Sequence, residues 1–362
     1  ELNKLMRKTL KGFYGVLKAE DEHLRFVFLT GVTKFSRVSD FSDLNHLDDI
    51  SMFEEYSQIC GISEAELLAN FQPDIELLAT KNKMSVEATI DKLRHYYDGY
   101  HFCEDVVGMY NPFSVLNILE KHKFKFYWFK TGTPTFLVEM VKNAKLDVPQ
   151  LEGETRYNAE EIMDYRFENK NPIPVLYQSG YLTIKGYDKI FNQYILGYPN
   201  EEVKYGFLNE LCPLYLPNDM QNREFSYVEF GQDLYHGNIE KFMQRLQAFF
   251  ANIPYDLENK TEKHYQTIFY LLFNLMGQFI KVEEHSAIGS SDAVVEVPDK
   301  IYIFEFKLDG NGTVEDALQQ IETKNYAGKY QLSGKEIIQI GAVFDNEKRG
   351  LKEWKYSPKQ EE

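Results

Sequence analysis

Two short runs of β-forming residues near the C-terminus enclose a turn and carry the clearest structural pattern of the chain. Residues 291–297 and 300–307 are rich in Val, Ile, Tyr and Phe, and Pro298 and Asp299 stand between them. β-Branched and aromatic residues favour strands, whereas proline and aspartate favour tight turns. The pattern therefore predicts a β-hairpin with a two-residue loop.

The loop length fixes which residues of the two strands face each other. If the loop has two residues, Val297 faces Lys300. Counting back from this pair places Asp292 opposite Glu305. Lys307 lies on the same face as Glu305, because side chains alternate along a strand. Opposed residues have Cβ atoms about 5 Å apart, so two carboxylates and an ammonium are expected to meet.

Helical periodicity dominates much of the remaining chain. Apolar residues three and four positions apart predict helices at 2–19, 64–71, 85–97, 239–250, 261–279 and 313–328. Ser63 followed by Glu66 predicts a capping box at the second of these helices. Short β-rich runs at 181–184 and 193–196 predict a small β-containing insert, for which a winged-helix hairpin is one alternative.

An apolar run at residues 25–30 has the composition of a buried parallel strand. Thr30, Thr33 and Lys34 follow its C-terminal end, where open α/β sheets place their ligands. A polar group there could sense a phosphate. The alternative is a simple strand-end turn, and we prefer the turn because the sequence has no phosphate-binding loop.

Two opposed carboxylates beside an ammonium form a poor structural pair but a suitable divalent-cation site. Mg²⁺ is usually held by one or two carboxylates, waters and a substrate phosphate. Lys307 can then orient an attacking water or neutralise charge on the phosphate. The alternative is that Glu305 and Lys307 are the polar face of an ordinary strand. Residues 301–306 are apolar on both faces, which predicts burial, and a buried charge needs a partner or a metal.

This arrangement resembles the PD-(D/E)xK nuclease superfamily, in which an Asp on one strand precedes a Glu-x-Lys on the next. The resemblance implies that Asp292 and Glu305 ligate Mg²⁺ or Mn²⁺. It also implies that the backbone carbonyl of Phe306 is a third oxygen ligand and that Lys307 positions the water.

Two further site residues follow from the same resemblance. The superfamily often uses a carboxylate from the preceding helix and a glutamine from the following helix. Glu262 and Gln320 stand at these places in the sequence. They are expected to support the metal or the lysine.

Motifs along nearly the full chain resemble bacterial AAA-ATPase-like proteins with a nuclease-type domain at the C-terminus. In chain order the motifs lie at residues 10–17, 25–36, 97–100, 111–114, 177–182, 305–310, 317–321 and 324–327, with Trp354 after them. The resemblance implies a mixed α/β fold in four parts. These parts are an ATPase-core remnant at 1–50, a helical lid at 51–170, a β-containing insert with a linker helix at 171–254 and a PD-(D/E)xK restriction-endonuclease-like domain at 255–362.

The sequence has no phosphate-binding loop. Gly328-Lys329 and Gly334-Lys335 lack a Gly five residues earlier and a following Ser or Thr. We therefore interpret the chain as a fragment that does not hydrolyse ATP. ATP is expected to be a ligand only of the intact parent protein.

Charge argues against tight autonomous binding to nucleic acid. The formal net charge of the chain is −16, and residues 255–362 contain 13 Lys and Arg against 19 Asp and Glu. Non-specific DNA binding depends on Lys and Arg that neutralise phosphates. A local basic strip can nevertheless exist in an acidic domain. Nucleic acid, with DNA preferred, remains the candidate substrate.

The remaining composition predicts a cytoplasmic protein without a membrane partner. The three cysteines are far apart in sequence, and no apolar run is long enough to span a bilayer. A homo-oligomeric state is left open.

Two functions follow from these features. The favoured hypothesis is a Mg²⁺-dependent nuclease module whose ATPase site is incomplete. The alternative is a non-catalytic, nucleotide-regulated switch or binding protein with a degenerate nuclease fold. Acidity favours the alternative, as does Ser290-Ser291 at a place where many relatives carry a basic residue.

Overall fold

The chain is described by a computed structural model, which covers residues 2–31, 48–131, 135–144, 146–163, 171–215, 227–251, 262–277, 281–284, 293–345 and 350–358. The chain divides into two compact units, Glu1–Phe207 and Leu208–Glu362. Helices and sheets occur in both units, which agrees with the predicted mixed α/β class.

Helices dominate the first unit. They are α1 (Leu2–Ala19), α2 (Glu64–Asn82), α3 (Val86–Tyr97), α4 (Pro112–Lys121), α5 (Thr135–Ala144), α6 (Ala159–Met163), α7 (Ile173–Gln178) and α8 (Glu201–Tyr215), which continues into the second unit. Single 3₁₀ turns lie at Asp21–His23, Glu54–Tyr56, Trp128–Thr131 and Val148–Leu151.

The start of α2 shows the capping box that the sequence predicts. Glu66 N donates to Ser63 Oγ at 3.3 Å, and Ser63 N donates to Glu66 Oε2 at 2.9 Å. The helix continues beyond the predicted end at residue 71, with a non-helical kink at Phe71. Pro73 follows two residues later and cannot donate a backbone hydrogen bond, which accounts for the kink.

Two small antiparallel sheets complete the first unit. One is the pair β1 (Ile62–Ser63) and β2 (Met109–Tyr110), and the other has β3 (Glu152–Tyr157), β4 (Thr183–Asp188) and β5 (Gln193–Gly197) in the order β3-β5-β4. The β4–β5 hairpin lies at the predicted β-rich runs. The two predicted β-rich runs are therefore confirmed as strands, whereas the bounds of an insert at 171–254 stay a prediction, since β3 of the same sheet precedes residue 171.

The motif at residues 97–100 docks the end of α3 against the three-stranded sheet. Thr183 Oγ1 accepts from His101 N at 2.7 Å and donates to His101 O at 3.0 Å. Gly99 has φ +100°, and a Cβ there would lie 2.2 Å from the carbonyl oxygen of Pro199. Only glycine satisfies both conditions, so this motif has a structural explanation.

Residues 25–30 do not form the strand that their composition predicts. The structure assigns no strand to them, and Phe26 is 81% exposed. A strand is stable where neighbouring strands satisfy its backbone groups, and none of the described strands pairs with this segment. The prediction of a buried parallel strand is therefore wrong, and the structure does not confirm a P-loop ATPase core.

A five-stranded sheet lies at the centre of the second unit. Its strands are β6 (Lys281–Glu284), β7 (Ala293–Glu296), β8 (Lys300–Leu308), β9 (Glu336–Asp345) and β10 (Gly350–Pro358), in the order β10-β9-β8-β7-β6. The β8–β9 pair is parallel, and the other neighbouring pairs are antiparallel.

Helices pack on both faces of this sheet. They are α9 (Tyr227–Tyr235), α10 (Ile239–Ala251), α11 (Glu262–Met276) and α12 (Val314–Thr323), and a 3₁₀ stretch follows at Gly328–Ser333. Phe304 contacts Phe242 of α10 and Phe273 of α11 on one face. On the other face, Ile321 of α12 lies in a buried cluster with Ile303. Strand β8 is therefore covered on both sides.

Candidate active site

Strand β8 places a carboxylate and an ammonium side by side within the covered sheet. Glu305 is 2% exposed, although glutamate is rarely buried without a partner. Lys307 Nζ donates to Glu305 Oε1 at 3.0 Å. The two side chains share a face because they are two residues apart on one strand. The predicted burial of the strand is confirmed.

Helix α12 supplies a third side chain to the same place. Lys307 Nζ donates to Gln320 Oε1 at 2.6 Å, and Gln320 Nε2 donates to the hydroxyl oxygen of Tyr326 at 3.4 Å. The helix crosses from β8 to the parallel strand β9, as a parallel connection requires. The structure thus brings together three predicted site residues, which are Glu305, Lys307 and Gln320.

The hairpin has the register that the sequence predicts. Val297 N donates to Lys300 O at 2.9 Å, and Ala293 pairs with Phe304. This is the register from which the sequence predicts Asp292 opposite Glu305. Asp292 itself lies outside the described residues, so its role as a metal ligand stays a prediction.

The other two predicted site residues have less defined places. Glu262 is the first residue of α11, but its side chain lies outside the described part of the structure. The ring of Phe306 packs on Phe269 with centroids 4.3 Å apart, within the aromatic core. The metal-ligand role of the Phe306 carbonyl stays a prediction.

A glycine that sequence reasoning missed packs on the lysine. A Cβ at Gly312 would lie 3.3 Å from Lys307 Cδ and 3.4 Å from Lys307 Cγ, closer than side chains usually approach. The loop between β8 and α12 therefore confines the stem of Lys307. A sequence signal for this contact is lacking, because it depends on how the loop folds back.

A second glycine lets α12 approach the sheet. A Cβ at Gly341 of β9 would lie 2.8 Å from the carbonyl oxygen of Val314. Gly341 pairs with Glu305 in the parallel register. Close approach of α12 at this level places Gln320 within reach of Lys307.

The donor set fits a hard divalent cation. A buried carboxylate oxygen is the ligand type that Mg²⁺ and Mn²⁺ prefer, and Mg²⁺ needs few protein ligands because it keeps waters. Among the described residues, no group of three or more His, Cys, Asp or Glu side chains is arranged to hold a metal ion. Among the described residues Glu305 offers a buried carboxylate of this type, and its role as a metal ligand stays a prediction, as does that of Asp292.

Comparison with known proteins defines the class of the second unit. A family model described as "PD-(D/E)XK nuclease superfamily" matches residues 260–354, which include Glu305, Lys307 and Gln320. A second model, described as "Predicted AAA-ATPase", matches residues 1–41. These matches confirm the resemblance that the motifs indicate.

The full chain also has a curated relative. It is 36% identical over 365 residues to "Uncharacterized protein in vnfD 5'region" of Azotobacter chroococcum mcd 1, covering 97% of this chain and 67% of that protein. The chain belongs to the family of AAA-ATPase-like proteins with a C-terminal PD-(D/E)XK nuclease superfamily domain. No solved structure gives a match. Among the described helices, none has the length and apolarity that crossing a bilayer requires.

Proposed function

We propose that the second unit hydrolyses phosphodiester bonds of nucleic acid in a reaction that depends on a divalent cation. The observation that carries the proposal is the contact of Lys307 Nζ with both Glu305 and Gln320 on a covered strand. The match of residues 260–354 to the PD-(D/E)XK nuclease superfamily supports the same reaction class.

Each side chain has a distinct part in the proposed reaction. Glu305 offers a carboxylate oxygen to Mg²⁺ or Mn²⁺, together with Asp292, the Phe306 carbonyl and substrate oxygens. A bound cation of this kind polarises the phosphoryl oxygen and favours deprotonation of water. Lys307 holds the attacking water and offsets negative charge that develops on the phosphate.

Gln320 positions the lysine. Its amide oxygen accepts from Lys307 Nζ, which fixes one donor direction of a flexible side chain. The remaining ammonium protons can then point to water and phosphate. Glu262 is proposed to support the metal or the lysine from the start of α11.

Nucleic acid is the proposed substrate, and DNA is preferred on resemblance. The net charge of −16 indicates that long-range steering contributes little to binding. Affinity is then expected to come from the metal and from local contacts. A cytoplasmic location and a homo-oligomeric state remain open proposals.

The rival function is binding without catalysis. A buried Lys–Glu contact can be retained for structure, since removing one member of such a pair costs about 3–5 kcal/mol. Substitution of Gln320 distinguishes the two functions: in the catalytic reading it lowers cleavage, because the amide oxygen holds the ammonium in place. In the rival reading, substitution of Gln320 changes stability alone.

Cleavage of labelled DNA and RNA in Mg²⁺ or Mn²⁺ tests the proposed function. We expect cleavage by the wild-type protein and a loss of roughly 10²-fold or more in Asp292→Ala and Lys307→Ala. Lys300→Ala is the matched control, because this lysine begins the same strand but pairs with Glu336. Circular dichroism checks that each variant is folded. Equal activity in all four proteins would end the proposal.

A further inference from the structure

Two lysines of the edge strand β10 lie beside the candidate active site. Lys355 pairs with Gly341, and Gly341 pairs with Glu305, so the three residues form one row across the sheet. Residues in one row share a face, and neighbouring strands lie about 4.8 Å apart. The backbone of Lys355 is therefore about 10 Å from that of Glu305, on the face against which α12 packs at Gly341.

Lys352 approaches the site from a β-bulge. The pairing of β10 shifts between Leu351 and Glu353, which leaves Lys352 as the extra residue. Its Nζ lies 2.8 Å from both Oδ1 and Oδ2 of Asp309. Asp309 follows Lys307 by two residues, so the lysine is held next to the end of β8.

Both lysines are occupied by carboxylates that border the site. Lys355 Nζ pairs with Glu315, in the first turn of α12, and lies 3.7 Å from Glu353. Hydrogen bonding to Asp309 and Glu315 raises the pKa of Lys352 and Lys355. The ammonium groups therefore stay charged at neutral pH.

The ion pairs are exposed and easily exchanged. Exposed fractions are 47% and 41% for the side chains of Lys352 and Asp309, and 53% and 64% for those of Lys355 and Glu315. Pairs of this kind contribute only about 0–1 kcal/mol. A phosphate can replace the carboxylate at little cost, because it offers the same anionic oxygens to the ammonium.

We propose that Lys352 and Lys355 bind backbone phosphates of the nucleic-acid strand whose scissile phosphate lies at Lys307. Asp309 and Glu315 occupy the two lysines until phosphates displace them. The inference rests on the proposed function, because it assumes that the substrate is nucleic acid. At a rise of about 3.4 Å per nucleotide along the helix axis, about 10 Å corresponds to roughly three nucleotide steps, so one substrate is long enough to contact both places.

Lys352 and Lys355 give an acidic unit a local site for a polyanionic substrate. The lysines provide a local contact, while the surplus of carboxylates suppresses binding elsewhere on the unit. At least one other lysine of the unit is occupied away from this row. Lys335 Nζ donates to Glu296 Oε1 at 2.9 Å and to the Val297 carbonyl at 2.8 Å.

The salt dependence of binding tests the inference. Fluorescence anisotropy of a labelled oligonucleotide, single-stranded or duplex, is measured in EDTA over a range of KCl so that no cleavage occurs. In the double variant Lys352→Ala/Lys355→Ala, we expect the slope of log K against log salt to fall by about 1.4 for single strands and about 1.8 for duplex. The full chain is used throughout.

Two further variants complete the experiment. Asp309→Asn/Glu315→Gln is expected to bind several-fold more tightly than wild type, because the lysines no longer have competing carboxylates. Lys300→Ala is the matched control, and we expect it to keep the wild-type slope. Its ion pair with Glu336 lies at the opposite end of β8.

The outcomes separate this inference from the proposed function. An unchanged slope in the lysine double variant, an equal change in Lys300→Ala, or no binding at low salt overturns the inference. Cleavage with an unchanged slope contradicts the phosphate surface alone. Binding with the expected slope but without metal-dependent cleavage contradicts the proposed hydrolysis and leaves the surface supported.

Discussion

At the scale of single residues, Lys307 connects the other two site residues that the structure brings together. Glu305 and Gln320 accept from its ammonium, and Gly312 confines its stem. The shared face of Glu305 and Lys307 follows from strand periodicity, which the sequence shows directly. Gln320 was identified only through family resemblance, and Gly312 was missed. Contacts of these two residues depend on the path of a loop and a helix, which local sequence does not encode.

Another residue-scale feature lies in the first unit, at the carboxylate of Asp98. Its Oδ1 is buried without a hydrogen-bond partner in the described structure, and burial raises the pKa of this carboxyl. A raised pKa in the folded chain means that folding favours the protonated form. The contribution of Asp98 to stability therefore rises as pH falls through that pKa and is lowest well above it.

The variant Asp98→Asn removes this charge. We expect it to be more stable than wild type by up to about 1 kcal/mol near pH 8, because solvent screening keeps the effect of the buried charge small. The difference in stability should shrink as the pH falls. Urea denaturation at several pH values measures the effect. Asp91→Asn on α3, the helix that ends just before Asp98, is the control, since the side chain of Asp91 is 72% exposed and its pair with Arg94 contributes little to stability. Lower stability of Asp98→Asn at every pH would contradict the explanation.

At the scale of elements, short sequence motifs predict turns and helix starts correctly, whereas features that depend on distant parts of the chain are predicted poorly. The hairpin register follows from a two-residue turn, and the start of α2 follows from Ser63 and Glu66. The predicted helix at 313–328 ends earlier, at Thr323, and Asn325 then adopts a positive φ of 52°. The apolar run at 25–30 failed as a strand because strand formation depends on partners elsewhere in the chain.

The start of α12 offers an element-scale prediction. Thr313 and Asp316 form a capping box, which Asp316 N and Thr313 Oγ1 close at 3.1 Å. We expect Thr313→Ala to cost about 1 kcal/mol of stability. It should also lower cleavage several-fold, because fraying reaches the Gly312 loop that confines Lys307.

A second capping box provides the control for this variant. Ser63→Ala removes the equivalent hydroxyl at the start of α2 in the first unit. Thermal denaturation should show a similar loss of stability, while the cleavage rate stays at the wild-type value. Equal losses of cleavage in Thr313→Ala and Ser63→Ala would show that general destabilisation, and not the position of Lys307, is responsible.

At the scale of the whole molecule, family membership and charge restrict the function. The family models match residues 1–41 and 260–354, and the relative covers 97% of the chain. The order of the motifs was therefore sufficient to predict the family from sequence. The motif at 97–100 belongs to this family pattern and also has a structural explanation, because it packs the end of α3 against the three-stranded sheet. With a net charge of −16, we expect the proposed binding of nucleic acid to depend on local contacts and on the cation.

A Mn²⁺ titration of the full chain tests most directly whether Glu305 and its neighbours form a divalent-cation centre. Isothermal titration calorimetry is applied to wild type, Glu305→Gln and Glu296→Gln. Glu296 is a matched control, since it lies on the adjacent strand and pairs with Lys335. We predict that Glu305→Gln weakens Mn²⁺ binding by about tenfold or more, in line with about 1.4 kcal/mol per tenfold change. Glu296→Gln is predicted to bind as wild type does. Equal binding by all three proteins, or no binding by the wild type, would contradict the account.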